Sequence, residues 1–387
     1  MLSHDQITAV TRLRHDLHKA PELSGQEANT ARLIASFLRS TRPDKILSGI
    51  GGHGVAVVYQ GKAPGPTILF RAELDALPIT EASALPYRSE RESVAHLCGH
   101  DGHMASLAGL GLLLGDTGLA RGRVILLFQP AEETGQGARA VLADPQFAGL
   151  RPDYAFAYHN MPGLPLGALA VAPGPASCAS VGLRLRYLGR EAHASSPEAG
   201  VSPAPALAAL MADLARYAAP CRMDAGFRLA TICHLNMGIP AFGIAPGRAE
   251  VFVTLRALSD TALERFTADV EAQAKACAGG LEVQISHHDQ FSASINHPDA
   301  VAYITRAGQM LGLREADFDL PMRASEDFGA FSQSAATALF FLGSGEGLPD
   351  LHDPYFDFPD ALIPTACSVF QSVLMQITSD ADCYNRV

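Results

Sequence analysis

Three histidines, one cysteine and one aspartate fall within His96-Leu-Cys-Gly-His-Asp-Gly-His103, interleaved with two glycines. A Cys-x-His pair with a loop on one side and a helix on the other can turn a thiolate and an imidazole toward one point. Borderline-soft divalent metals such as zinc favour that donor mix. The apolar run that follows, residues 104–115, predicts a buried helix. The plain alternative is a polar loop capping a core helix, with Cys98 packed as a small hydrophobe.

Further candidates stand downstream: Glu132 and Glu133 in Gln129-Pro-Ala-Glu-Glu133, His159 after the apolar piece at 154–158, and His352 in Leu351-His-Asp-Pro354. Two metals sharing a site need about four to five protein ligands with positions open for water. Five of these six residues could supply them, leaving one carboxylate over. On a turn leaving a strand, adjacent glutamates point different ways. One can hold metal while the other faces the attacking water, as a general base for hydrolysis must. A solvated helix N-terminus would equally favour two glutamates.

The elements that must position these residues can be read from the pattern. Residues 3–19 and 26–40 predict helices, and 54–60, 67–71, 123–128 and 154–158 predict strands. Strands alternating with helices predict an α/β fold, a mixed sheet flanked by helices, with its chemistry at the strand ends. From about residue 177 the pattern changes. Strands at 180–188, 227–235, 249–256 and 281–287 alternate with helices at 202–217 and 260–277, the last with a Ser259 or Asp260 cap. That β-α-β-β-α-β order predicts a ferredoxin-like α+β unit inserted into the first domain. The expected division is 1–177 and 291–387 for one discontinuous domain and 178–290 for the insertion. A strand at 338–342 and a helix at 363–377 close the larger layer.

The 387 residues carry a net charge of −11, with 48% hydrophobic and 18% charged residues. That is a globular composition, and its acidity argues against nucleic acid or anionic membrane as partner. The apolar stretches read as too short or too Gly-interrupted to span a membrane. Seven cysteines without framework spacing and no leader-like start predict a reducing, cytoplasmic setting.

Taken together, His96–His103, Gln129–Glu133, His159-Asn-Met-Pro162 and Leu351–Pro354 resemble the co-catalytic metallopeptidases of the aminoacylase/carboxypeptidase type. The closer likeness is to the amidohydrolase branch with hippurate hydrolase and indole-acetyl-amino-acid hydrolases. The resemblance runs over the whole chain and implies a zinc-peptidase-like catalytic domain with a lid and dimerisation domain inserted. It implies two divalent metal ions per subunit, zinc or manganese, with cobalt or nickel as alternatives. Cys98, His100, Glu133, His159 and His352 would be their ligands, and Glu132 the base. Cys98 stands where other branches carry aspartate. His193, in Gly189-Arg-Glu-Ala-His-Ala194, would reach across a homodimer interface to stabilise the oxyanion; without the resemblance it reads as an exposed loop residue. Arg256 matches an arginine suited to a substrate carboxylate. The implied reaction cleaves the amide of N-acyl amino acids or small peptides.

Three departures stand out: Glu73 in Arg71-Ala-Glu73 where the branch usually has aspartate, Gly243 in place of an asparagine before Ile244-Ala-Pro246, and Val253-Thr-Leu-Arg256 for Gly-Thr-Val-Arg. Asp101 is expected to anchor a ligand imidazole from behind, with Glu73 likewise in support, and His96 and His103 to support rather than bind. Glu326 and Asp327 match a position near the site. His4, His15, His18, His53, His234, His287, His288 and His297 read as surface or loop residues. Two other readings stand beside hydrolysis. One is a silent binder of acyl-amino acids; the other is a structural zinc protein, which the glutamate pair and five candidate ligands argue against.

Overall fold

The computed structural model describes residues 1–218 and 222–379, so Cys221 and Cys383 lie outside the described residues. The chain divides into two compact units, Met1–Ala176 with Ser294–Leu320 and Asp327–Val387, and Ser177–Ala293 with Pro321–Glu326.

The larger unit opens with α1 (His4–Lys19) and α2 (Ala28–Leu38). Ser3 and Gln6 form a reciprocal capping box at the start of α1, satisfying amides that the first turn leaves without helical partners. Strands β1 (Lys45–Ile50), β2 (Gly54–Gln60) and β3 (Ala63–Glu73) follow, then α3 (His100–Thr117), β4 (Arg121–Gln129), α4 (Gly137–Ala143) and β5 (Tyr154–Pro162). In the smaller unit are β6 (Ala179–Leu188), α5 (Ala204–Leu214), β7 (Arg228–Met237), β8 (Arg248–Ala257), α6 (Asp260–Ala276) and β9 (Glu282–Phe291). The chain then returns with α7 (Pro298–Leu311), β10 (Ala336–Gly345) and α8 (Leu362–Ser379).

The larger unit is built on a seven-stranded sheet in the order β1-β2-β4-β3-β5-β10, closed by the two-residue strand Leu169–Ala170. The four central strands are parallel, and the pairings outside them are antiparallel. Central strands buried on both faces must be apolar throughout, and Val124-Ile-Leu-Leu-Phe128 is buried at every position. Fourteen of the 18 residues of α3 are buried, which explains its lack of a polar face. It packs on α1 and α8. Helix α8 is long and apolar enough to cross a membrane, contrary to expectation, but more than half of its hydrophobic window is buried in the core.

The smaller unit has a four-stranded antiparallel sheet in the order β7-β8-β6-β9, the expected ferredoxin-like arrangement. Val251, Val253 and Leu255 of β8 pack with Leu210 of α5 and Phe266 of α6 in its core, while the alternate residues of β8 are more exposed. Ser259 caps α6 by accepting from the Ala262 amide.

Two local features depart from the sequence pattern. Strand β1, Lys45-Ile-Leu-Ser-Gly-Ile50, mixes polar and apolar residues without strict alternation; it is recruited as an edge by pairing with β2. Helix α3 begins at His100 rather than near 104, so His100 and His103 share its first turn.

Candidate metal centre

The parallel strands set the geometry, because their carboxyl ends lie along one edge of the sheet. Strand β3 leads to Asp75, β4 to Glu132 and Glu133, and β5 carries His159 three residues before its end. Cys98 precedes α3, and His352 lies in the loop after β10. The His352 amide donates to the Leu97 carbonyl at 2.8 Å, which ties that loop to the residue before Cys98.

All six candidates meet at this edge. Potential ligand atoms of Cys98, His100 and His159 lie within 4.8 Å of one another, and so do those of Cys98, Glu133 and His352, and of His100, Glu132 and Glu133. Cys98 and His100 each belong to two of these trios, so the three groups are contiguous. Cys98 Sγ is 3.4 Å from His159 Nε2. His100 Nε2 lies 3.8 Å from Glu133 Oε1 and 3.9 Å from Glu132 Oε2, beyond hydrogen-bond range, and is buried with no hydrogen-bond partner among the described residues. His352 Nε2 is 3.9 Å from the same Glu133 oxygen.

The opposite ring nitrogen of His100 is fixed. Its Nδ1 donates to the Asp75 carbonyl at 2.9 Å, which turns Nε2 toward the glutamates. Asp75 itself is buried, and its Oδ2 accepts from the Glu133 amide at 3.0 Å and the Ser24 hydroxyl at 2.7 Å. The sequence assigns Asp75 no role in advance; the signal available is its place two residues after β3.

Electrostatics follow from burial. The Cys98 thiol is pushed well above its ordinary value by burial and by Glu133, so a neighbouring cation is what would keep it ionised. Burial, then His103, lowers His159 to about 3, leaving the neutral imidazole that metal ligation requires. Burial also lowers His352, with His100 adding to it. For His100 burial acts downward, but Cys98, Glu73 and the Asp75 bond outweigh it and raise the value.

His103 is engaged on both sides, with Nδ1 2.7 Å from Glu73 Oε2 and Nε2 2.7 Å from Asn160 Oδ1. Glu73, His103 and His100 also bring donor atoms within 4.8 Å, yet these bonds occupy the His103 nitrogens. The longer Glu73 side chain is paired with Arg71, whose Nη2 donates to Asp327 at 2.6 Å. Asp327 also accepts from Gln129 Nε2 and the Ala138 amide, so it ties β3, β4 and α4 together. His96 is buried and makes no hydrogen bond among the described residues.

Two expectations are corrected. Asp101 supports no ligand imidazole; its Oδ2 accepts from Arg14 Nε at 2.6 Å and lies 2.9 Å from His18 Nδ1. His18 is therefore no surface residue: it is fully buried, with Nε2 3.3 Å from Glu81. Its partners lie 63 and 83 residues away in sequence, which is why no local spacing announced them.

The remaining candidates lie in the smaller unit. His193 is exposed on the two-residue strand Ala192–His193, which pairs with Ile244–Ala245, and its Nδ1 is 2.7 Å from Ser195 Oγ. Gly243 is exposed, and its neighbour Phe242 is fully so. Arg256 Nη1 donates to Ser325 Oγ at 2.8 Å and to the Arg323 carbonyl at 3.1 Å, which holds its guanidinium in place.

Comparison with known proteins adds a pedigree to this geometry. Residues 69–376 match the family model described as Peptidase family M20/M25/M40. The chain is 31% identical to the hippurate hydrolase of Campylobacter jejuni over 372 residues, covering 94% of this chain and 95% of that protein. It is 28% identical to N-acetyl-L-cysteine deacetylase of Bacillus subtilis, covering 96% and 88%. The solved structure of the Bacillus subtilis YXEP protein, described as a dinuclear metal binding peptidase from M20 family, superposes with a TM-score of 0.81 at 26% identity, covering 97% and 99%.

Proposed function

Because this chain belongs to peptidase family M20/M25/M40, we propose that its site hydrolyses the amide bond of N-acyl amino acids or small peptides, releasing a carboxylic acid and a free amino acid. It is a metal-dependent amidohydrolase. The observation that carries the reading is the meeting of six donor residues at one sheet edge, with His100 Nε2 among them buried and without a hydrogen bond.

Five of those donors, one thiolate, three imidazoles and a carboxylate, suit two divalent ions and leave one glutamate over. Cys98, His100, Glu133, His159 and His352 would hold them, and zinc or manganese suits the mixture, with cobalt and nickel also compatible. Bound there, the ions supply Lewis acidity toward the scissile carbonyl and the attacking water. Glu132, 6% exposed and adjacent to the ligand Glu133, takes the proton from that water and delivers it to the leaving amine. Arg256 receives the substrate carboxylate, held ready by Ser325. His193, whose Nδ1 is engaged by Ser195, presents Nε2 as a donor to the oxyanion.

His193 acts from a second copy in a homodimer formed through the smaller unit. Supporting this, Leu235, Met237, Ile239, Phe242 and Ile244 are exposed around the edge strand β7, an apolar surface of the kind that marks association. A reducing cytoplasm would preserve Cys98 as a thiol ligand.

The test is amino-acid release from N-acetyl, N-benzoyl and indole-acetyl amino acids and dipeptides. It compares wild type, Glu132→Gln and chelated protein, with zinc or manganese restored. Metal-dependent release that Glu132→Gln abolishes while retaining metal is the expected result. Release that persists in Glu132→Gln refutes the base, and a metal-loaded protein that binds these compounds without cleaving any would be a silent binder.

A further inference from the structure

The turn that carries the two glutamates is held from outside the strand it leaves. Ala131 sits at φ +51°, a left-handed conformation disfavoured for any residue with a Cβ. Its amide donates to Glu27 Oε1 at 2.8 Å, and the same oxygen accepts from the Gly25 amide at 2.8 Å. The Glu133 amide donates to Asp75, which is in turn gripped by Ser24. The two amides flanking Glu132 are thus both bound to buried carboxylates, and one segment, residues 24–27, reaches both.

Glu27 is fully buried and stands at the N-cap of α2, yet its side chain makes no capping bond to that helix. Its position is 104 residues from its partner on the turn. A carboxylate withdrawn from its own helix and spent on a strained distant amide is serving the turn.

We infer that Glu27 is a positioning residue for the reaction: it holds Ala131 in the left-handed conformation that sets the direction of Glu132. This rests on the reading of Glu132 as base. If it is correct, Glu27 governs turnover without touching substrate, because misplacing a general base by about an ångström can cost up to ~100-fold in rate.

The experiment measures kcat, KM, bound metal per chain and thermal midpoint for wild type, Glu27→Ala, Glu27→Gln, Ala131→Gly, the double variant Glu27→Ala/Ala131→Gly, and Glu132→Gln as reference. Glu27→Ala should lose roughly tenfold or more in kcat with KM little changed and metal retained. Glu27→Gln keeps an acceptor oxygen for both amides and should stay near wild type. The double variant should recover part of the lost kcat, since glycine adopts positive φ without steric cost. Wild-type kcat in Glu27→Ala overturns the inference, as does a loss shared equally by Glu27→Gln and unrelieved by Ala131→Gly. If Glu132→Gln itself remains active, the reading of the base fails first. A dead Glu132→Gln beside an unimpaired Glu27→Ala removes only this proposal.

Discussion

Replacing His18 with glutamine should flatten the alkaline flank of the stability curve. Burial pulls the His18 imidazole toward neutrality, but Asp101, reinforced by Glu81, outweighs burial and the nearby Arg14 and raises its pKa to about 9. A group whose folded pKa exceeds its unfolded value stabilises the fold fully below the unfolded value. It loses that contribution as pH rises through the folded one. Between the ordinary 6.5 and about 9 the difference amounts to roughly 3 kcal/mol, a large effect for one side chain. The assay is urea unfolding of both proteins at several pH values from about 6 to about 10, read as midpoints at common slope. His18→Gln should be the less stable protein at the acidic end, and the gap should close above about pH 9. Two curves running parallel across this range would refute the buried imidazolium.

Gly102 lies in the first turn of α3, where a Cβ would fall 2.3 Å from the ring of buried Phe358. Gly102→Ala should cost about 1–3 kcal/mol, seen as a lowered thermal midpoint. Because burial holds Cys98 in its thiol form, zinc addition to apoprotein should release a proton. Buffer-dependent calorimetry should find that release reduced in Cys98→Ala. Phe242→Asp, in the exposed apolar patch, tests the proposed homodimer: it should shift sedimentation toward monomer while changing the monomer's own unfolding free energy by no more than about 0.5 kcal/mol.

What could be read from the chain in advance was what neighbouring residues announce. Cys98 and His100 are two apart, Glu132 and Glu133 adjacent, and all lie within a few residues of apolar runs, so both the chemistry and its place near strand ends are visible. The smaller unit was equally legible, since its inner and outer residues alternate cleanly on β8. The support behind the site was not. Asp75, Glu27 and Asp101 act on amides and side chains 58 to 104 residues away, and no periodicity encodes such partners. Arg14 illustrates the limit: on sequence it is one polar residue of an amphipathic helix, yet it is buried against Asp101, Asp357 and Asp360.

The parallel pairing of β5 with β10, which sets Phe341 beside His159, has a consequence for biosynthesis. The smaller unit is interposed between these strands, and its antiparallel sheet is complete within residues 179–291. It can close while the larger sheet still waits for an inner strand. His352 is translated last of the candidate ligands. At about 5–20 residues per second, it follows His159 by roughly ten to forty seconds. For that interval the nascent chain offers a thiol, two histidines and two glutamates in a site that β10 has not yet enclosed. Order of emergence from the ribosome thus fixes an interval in which Cys98 has been made before the last of its candidate co-ligands.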